Sequence, residues 1–159
     1  MNQIDETIVS KNEQEAAAQV RTIGFTADLG IELLRLEPGR CECELRLESR
    51  HLNTLSIVHG GVLYSLADTA SSLAAASYGG GGSTVSGSID YLRAAKGTTL
   101  HCTAEVVKYG RHLIWTSAEI TDDLGKVCCK SQFIHYQMEG AANFGIQPVF
   151  KEDAPTPAP

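Results

Sequence analysis

The chain has 159 residues, 43% hydrophobic and 20% charged, with a formal net charge of −6. This is the length and make-up of one globular domain with a proper core; the acidic balance excludes a general nucleic-acid binder, which needs a basic stripe. No purely apolar run reaches the roughly 18 residues of a membrane span, so neither nucleic acid nor membrane is an expected partner.

Residues 1–27 read as a polar helical arm. MNQIDETIVSKNEQEAAAQV has no apolar core and does not read as a secretory signal. Helix formers dominate EQEAAAQVRTI, and Gly24 is a natural breaker. A single domain follows over 28–138. From Gly30 the period changes to two, and GIELLRLE and RCECELRL flank the turn signal Pro38-Gly39. The second run alternates cleanly: Cys41, Cys43, Leu45 and Leu47 share one face, Arg40, Glu42, Glu44 and Arg46 the other. The five cysteines are odd in number and no pair has C-x-x-C spacing. They are expected as reduced, packed thiols in a reducing cytoplasm.

A loop over 51–57 leads into one strong helix, about Val58 to Tyr78. Val58, Val62, Leu66, Ala70, Leu73 and Ala74 form its core stripe. Gly79 to Gly82 end it and are expected to form a flexible connection, too weak a signal for a phosphate cradle because no Lys-Ser/Thr follows. Four strand-like runs come next: TVSGSIDYLR, TLHCTAEVVKY, HLIWTSAEITD and KVCCKSQFIHYQ. Gly110-Arg111 and Asp123-Leu124-Gly125 mark tight turns, so consecutive antiparallel strands are expected. Residues 139–159 read as a flexible, Pro-rich tail. The elements predict an α+β fold, an antiparallel sheet of about six strands wrapped around one long helix. One helix cannot cover both faces of such a sheet, so self-association is expected to hide part of it.

Chemistry concentrates in the helix. Asp68 falls away from the core stripe, beside Tyr64, Ser65, Ser71 and Ser72, and caps neither end. No Lys or Arg lies three or four residues away, and a solvated face would carry more than one charge in such a length. Asp68 therefore reads as held in an interface or cleft. His59, Gly60 and Gly61 begin the same helix. Glycines there serve a tight entry turn, and they also let a ligand approach bare N–H groups at the positive end of the helix dipole. His59 reads as a hydrogen-bonding structural residue rather than a base. Asp68 lies nine residues beyond it, about 13 Å along the axis, too far for both ends of one helix to touch one atom. A site with Gly60 from one subunit and Asp68 from another resolves that distance.

The spacing Asn53-(x)5-His59-Gly60-Gly61-(x)6-Asp68, with His51 two residues before Asn53, resembles the hotdog-fold acyl-CoA thioesterases. It looks closest to their PaaI-like, phenylacetate-pathway branch, over about residues 20–138. The resemblance implies a sheet around a central helix, dimers and commonly tetramers, and an active site across the dimer interface. Carried over by position, Asp68 is the catalytic carboxylate, attacking the thioester or activating water, and the Gly60 N–H receives the thioester oxygen. Asn53 positions water or carbonyl, His59 orients the loop and helix start, and Ser72 helps place the water. Thr84 sits where some relatives are polar. Gly61 and Tyr64 would line the acyl group, while Arg93, Lys96, Lys108 and Arg111, with His112, stand at strand ends where coenzyme A phosphates are often met. Many relatives have Arg-Pro where this chain has Arg93-Ala94, which bears on the shape of the nucleotide loop. No metal or cofactor is called for, because the helix N-terminus already polarises the carbonyl.

The expected activity is hydrolysis of an aryl- or medium-chain acyl-CoA by a homo-oligomer. Two other classes share the fold: a non-catalytic acyl-CoA-binding regulator and a hydratase or dehydratase. Retention of Asn53, Gly60 and Asp68 together argues against the first, and the second needs a histidine that moves protons.

Overall fold

The computed structural model describes residues 4–138 and 145–149. Asp5 caps the first helix, α1 (Glu6–Thr22), by accepting from the N–H groups of Thr7 and Ile8. One face of α1, spaced at four residues, buries Asn12, Ala16 and Val20. The helix stops at Ile23, and Gly24 takes a left-handed φ of +61° before the short α2 (Gly24–Leu29).

Strands β1 (Ile31–Glu37) and β2 (Arg40–Arg46) meet at the Pro38-Gly39 turn as read from the sequence, with Gly39 at φ +80°. Cys41, Cys43 and Leu45 are buried, and Arg40 pairs with Glu42 and Glu105 on the other face. The central helix, α3 (Gly60–Ala76), is apolar nearly all round, as a helix enclosed by a sheet must be. It packs against all six strands. Leu66, Ala67, Ala70, Leu73 and Ala74 are fully buried and meet Leu45, Leu100, Ala104, Ile120 and Phe133 from the sheet in one core. Each large aliphatic chain among them contributes roughly 1.5–3 kcal/mol of burial. All five cysteines are free and buried. Burial pushes the Cys41 and Cys102 thiols well up, which keeps them as packing groups.

The remaining strands are β3 (Gly81–Tyr91), β4 (Thr99–Tyr109), β5 (Leu113–Asp122) and β6 (Val127–Met138), in one antiparallel sheet of order β1-β2-β4-β5-β6-β3. One expectation fails here. β4, β5 and β6 pair consecutively, but β3 pairs with β6 at the far edge. Residues 92–98 carry the chain back to β4 across the ends of β6 and β5. Leu92 N–H bonds to Cys128 O, Lys96 N–H to the Asp122 carboxylate, and Thr98 N–H to Asp123. A link with this many anchors is no hairpin turn.

A second expectation changes with it. α3 ends before the glycine run, and Gly81 and Gly82 already belong to β3. Gly79, at φ +96°, lies so close to Pro148 that a Cβ would stand 2.1 Å from its Cα. Residues 145–149 thus dock over this corner instead of hanging free. Ile146 and Val149 are buried, and Gln147 exchanges two hydrogen bonds, 2.7 and 2.8 Å, with the buried Asn12 side chain. The Pro-rich end of the expected tail lies outside the described residues, and the segment 1–3 with it. No helix among the described residues is long and apolar enough to cross a membrane.

Candidate active site

The loop before α3 is built from three side chains. His51, buried, accepts the Glu48 N–H on Nδ1 (3.0 Å) and bonds Leu29 O through Nε2 (2.9 Å), while its carbonyl takes the His59 N–H (2.8 Å). Asn53 folds the next turn, its Oδ1 accepting from Leu55 N–H (2.9 Å) and Ile57 N–H (3.3 Å). That oxygen is committed to the loop. His59 is the N-cap of α3, and its Nδ1 accepts the Gly61 N–H at 2.8 Å.

Of the two amides expected bare at this helix start, Gly61 is therefore taken. The Gly60 N–H has no acceptor among the described residues. Tyr91 steadies it from behind, donating its hydroxyl to Gly60 O at 3.0 Å. A Cβ at position 60 would stand 3.2 Å from that ring, so the close approach favours glycine.

Asp68 is half-buried, and Thr84 Oγ1 donates to its Oδ1 at 2.8 Å. The second oxygen, Oδ2, has no partner among the described residues. Thr84 belongs to β3, which runs antiparallel beside α3. Tyr91 lies beside Gly60, the Tyr64 hydroxyl reaches Gly87, and Thr84 meets Asp68. At Gly87 a Cβ would come 2.3 Å from the Phe133 ring and 2.5 Å from the Tyr64 oxygen. Tyr64 stands edge-on to Phe133, centroids 5.2 Å apart. Helix and edge strand thus pack along one seam, with a bare amide at one end and a half-free carboxylate at the other. An amide of this kind can polarise a carbonyl and a carboxylate of this kind can activate a nucleophile, but within one chain the two lie about 12 Å apart along the helix.

Two residues were missed from the sequence. Tyr91 looked like an ordinary strand aromatic. His135 is buried in β6, with Nδ1 3.4 Å from Thr84 Oγ1 and Nε2 3.1 Å from Thr116 Oγ1. Its signal was present in the alternation Ser131, Phe133, His135, which sets a histidine on the buried face. Ser72 lines a cleft with His135, Ala76 and Gly82, one turn beyond Asp68.

The expected cations do not gather. Arg93 is engaged by the buried Asp122 carboxylate and by Val127 O (3.1 Å). Burial raises the Asp122 carboxyl, but the Lys126 and Lys96 amides and Arg93 outweigh it and hold the group below the usual carboxylate range. Lys108 lies 5.1 Å over the Trp115 ring. Lys96 and Arg111 are exposed at opposite ends of β4, and His112 stacks on Tyr136.

Comparison with known proteins gives the family and the fold. Residues 55–129 match the model of the Thioesterase superfamily. Acyl-coenzyme A thioesterase 13 of Homo sapiens is 34% identical over 109 residues, 66% of this chain and 78% of that one. Acyl-coenzyme A thioesterase PaaI of Escherichia coli is 33% identical over 99 residues, 62% of this chain and 71% of that one. Among solved structures, the E. coli PaaI protein of the phenylacetic acid degradation operon superposes with a TM-score of 0.78, at 27% identity, over 84% of this chain and 98% of its own. Zebra fish thioesterase superfamily member 2 gives 0.73 at 29% identity, over 82% and 98%. The chain belongs to the thioesterase superfamily and has the hotdog fold of its thioester hydrolases.

Proposed function

We propose that this protein hydrolyses an acyl-CoA thioester to the free acid and CoA at a site shared between two subunits. The observation that carries this reading is the pair of groups left at the ends of the seam between α3 and β3. These are the Gly60 N–H and the Asp68 Oδ2, neither of which has a partner among the described residues. Relatives named as acyl-coenzyme A thioesterases support the substrate class.

The two ends lie eight residues apart on one helix, about 12 Å, so one chain does not bring them to one carbonyl. The edge strand supplies the remedy. β3 carries a single charge, Asp90, along its length and is the last strand of the sheet on its side. Two β3 strands joined antiparallel about Gly87 and Ser88 would set Tyr91 opposite the partner's Thr84. Gly60 would then face Asp68 of the partner subunit. Val107 and Trp115, on the outer face of the sheet, border a trough of about 590 Å³, which suits pairing of dimers into a tetramer.

In the reaction, the thioester oxygen accepts from Gly60 N–H while water adds to the carbonyl carbon and gives its proton to Asp68 Oδ2. Collapse breaks the carbon–sulfur bond, and the departing CoA sulfur takes up that proton. The alternative has Oδ2 itself attack and expel the CoA thiolate, forming an anhydride that water then cleaves at the Asp68 carbonyl, a proton of that water passing to the thiolate. A single turnover in heavy-oxygen water separates these, since only the second puts label into Asp68. Tyr64 borders the acyl group, an aryl or medium-length chain, and of the expected cations we assign the exposed Lys96 and Arg111 to the CoA phosphates. The cytoplasm is the expected compartment.

The deciding experiment is CoA release from a panel of aryl- and fatty-acyl-CoA thioesters, wild type beside Asp68→Asn. Turnover that falls at least about 10³-fold in the variant, with substrate still bound, is the expected outcome. Binding without turnover by the wild type would give the protein a regulatory role instead.

A further inference from the structure

Resting on that reading of Asp68, we propose that His135 is a positioning residue that decides which oxygen of the Asp68 carboxylate is left to react. The argument is a count of protons along one chain of contacts. His135 is 3% exposed, and a buried imidazole must have both ring nitrogens satisfied. Its contacts run through Thr84 to Asp68 on one side and end at Thr116 on the other.

A carboxylate only accepts, so Thr84 gives its one hydroxyl proton to Asp68 Oδ1. With that proton spent, Thr84 Oγ1 can only accept from the ring, and Nδ1 of His135 carries the hydrogen. A neutral imidazole has one N–H, so Nε2 accepts, and the Thr116 hydroxyl donates to it. The direction of the whole chain, Thr116 to His135 to Thr84 to Asp68, is set by the charge at its end. The cross-strand register, which places Thr84 opposite His135, builds this from β3 and β6. The consequence falls on the carboxylate: Oδ1 is pinned, and Oδ2 is left without a partner among the described residues.

The other groups around His135 are Ser72 and Ile114, which share its cleft, and the Phe133 ring, with centroids 6.3 Å apart. Asp68 is the one charged group that acts on it among the described residues. Burial lowers the His135 pKa and the Asp68 charge opposes that, the net direction being down, so the ring is neutral at neutral pH. If it does take a proton, the Thr116 hydroxyl can turn to Phe133 O at 3.5 Å and accept from Nε2. A cation then stands one hydroxyl away from Asp68 and holds its charge back from the reaction.

The test uses the full chain and two readouts. Long-range proton–nitrogen NMR should show His135, assigned by its absence in His135→Asn, as the Nδ1–H tautomer, a preference lost in Thr84→Val. An Nε2–H tautomer in the wild type would overturn the proposal. In acyl-CoA turnover, His135→Asn keeps an amide N–H near the place of Nδ1 and should hold kcat within about threefold, while His135→Leu loses about 10–30-fold in kcat with KM unchanged. The acid limb of the wild-type profile should become shallower in His135→Asn. Equal losses in both variants with an unchanged pH profile would make His135 merely structural and sink the idea. The Nδ1–H tautomer in a protein that turns over no thioester would leave the relay standing and remove the hydrolase reading instead.

Discussion

The two edges of the sheet are built in opposite ways. At the β1 edge, Glu32, Arg35 and Glu37 project charge, and α1 docks alongside, with the Glu13 carboxylate accepting the Leu36 N–H at 2.8 Å. At the β3 edge there are serines, glycines and an exposed Val85, with one charge near the far end. An edge that must stay alone is blocked with charge and a covering helix; an edge left bare is one that meets another strand. The β3 edge is also the one that carries Thr84 and Tyr91, so the proposed association and the proposed chemistry would share a strand.

The widest expected gap between the edges comes from putting the same charge on both. Val85→Lys should split the dimer and lower turnover about 100-fold, whereas Leu34→Lys on β1, itself 49% exposed, should change neither. Light scattering with a CoA-release assay reads both, and a monomeric but fully active Val85→Lys would sever the link between edge and site. A smaller effect belongs to the link that returns from the open edge. The Asp122 carboxyl is held below its unfolded value of about 4. Its stabilisation is therefore complete above that pH and is lost as pH falls through the lower folded value. Melting curves across this acid range should fall more steeply for the wild type than for Asp122→Asn, which should be less stable at pH 7 because Arg93 loses its partner. The smallest change is expected at the closed edge, where Glu13→Ala should cost about 1 kcal/mol in denaturant unfolding, with turnover untouched.

What could be read without the fold was whatever depends on local period. The Val62–Leu66–Leu73 stripe and the alternation of β2 named the core directly, because side-chain direction repeats within a few residues. Asp68 declared itself by being out of place on an apolar helix. The position of β3 was not legible, since its pairing with β6 joins segments some fifty residues apart, as Thr84 and His135 are. His135 was hidden for the same reason: its meaning depends on Thr84 and Asp68, which arrive from two other elements. The glycine run misled because four glycines say that a side chain would not fit but not what occupies the space. At Gly79 that neighbour is Pro148, and at Gly82 it is the Tyr136 carbonyl. Arg93 shows the same limit for charge, since the sequence places a cation near a strand end without naming the carboxylate that claims it.

The distance between Gly60 and Asp68 along α3 has a genetic consequence. Each site would draw its carboxylate from one subunit and its amide from the other, so two inactive proteins could repair one another. Gly60→Pro removes the amide proton at a helix start that tolerates proline, and Asp68→Asn removes the base. A mixed dimer of the two would gather both defects into one site and leave the other intact. Random reassembly of equal amounts would then recover about a quarter of wild-type activity from two dead parents.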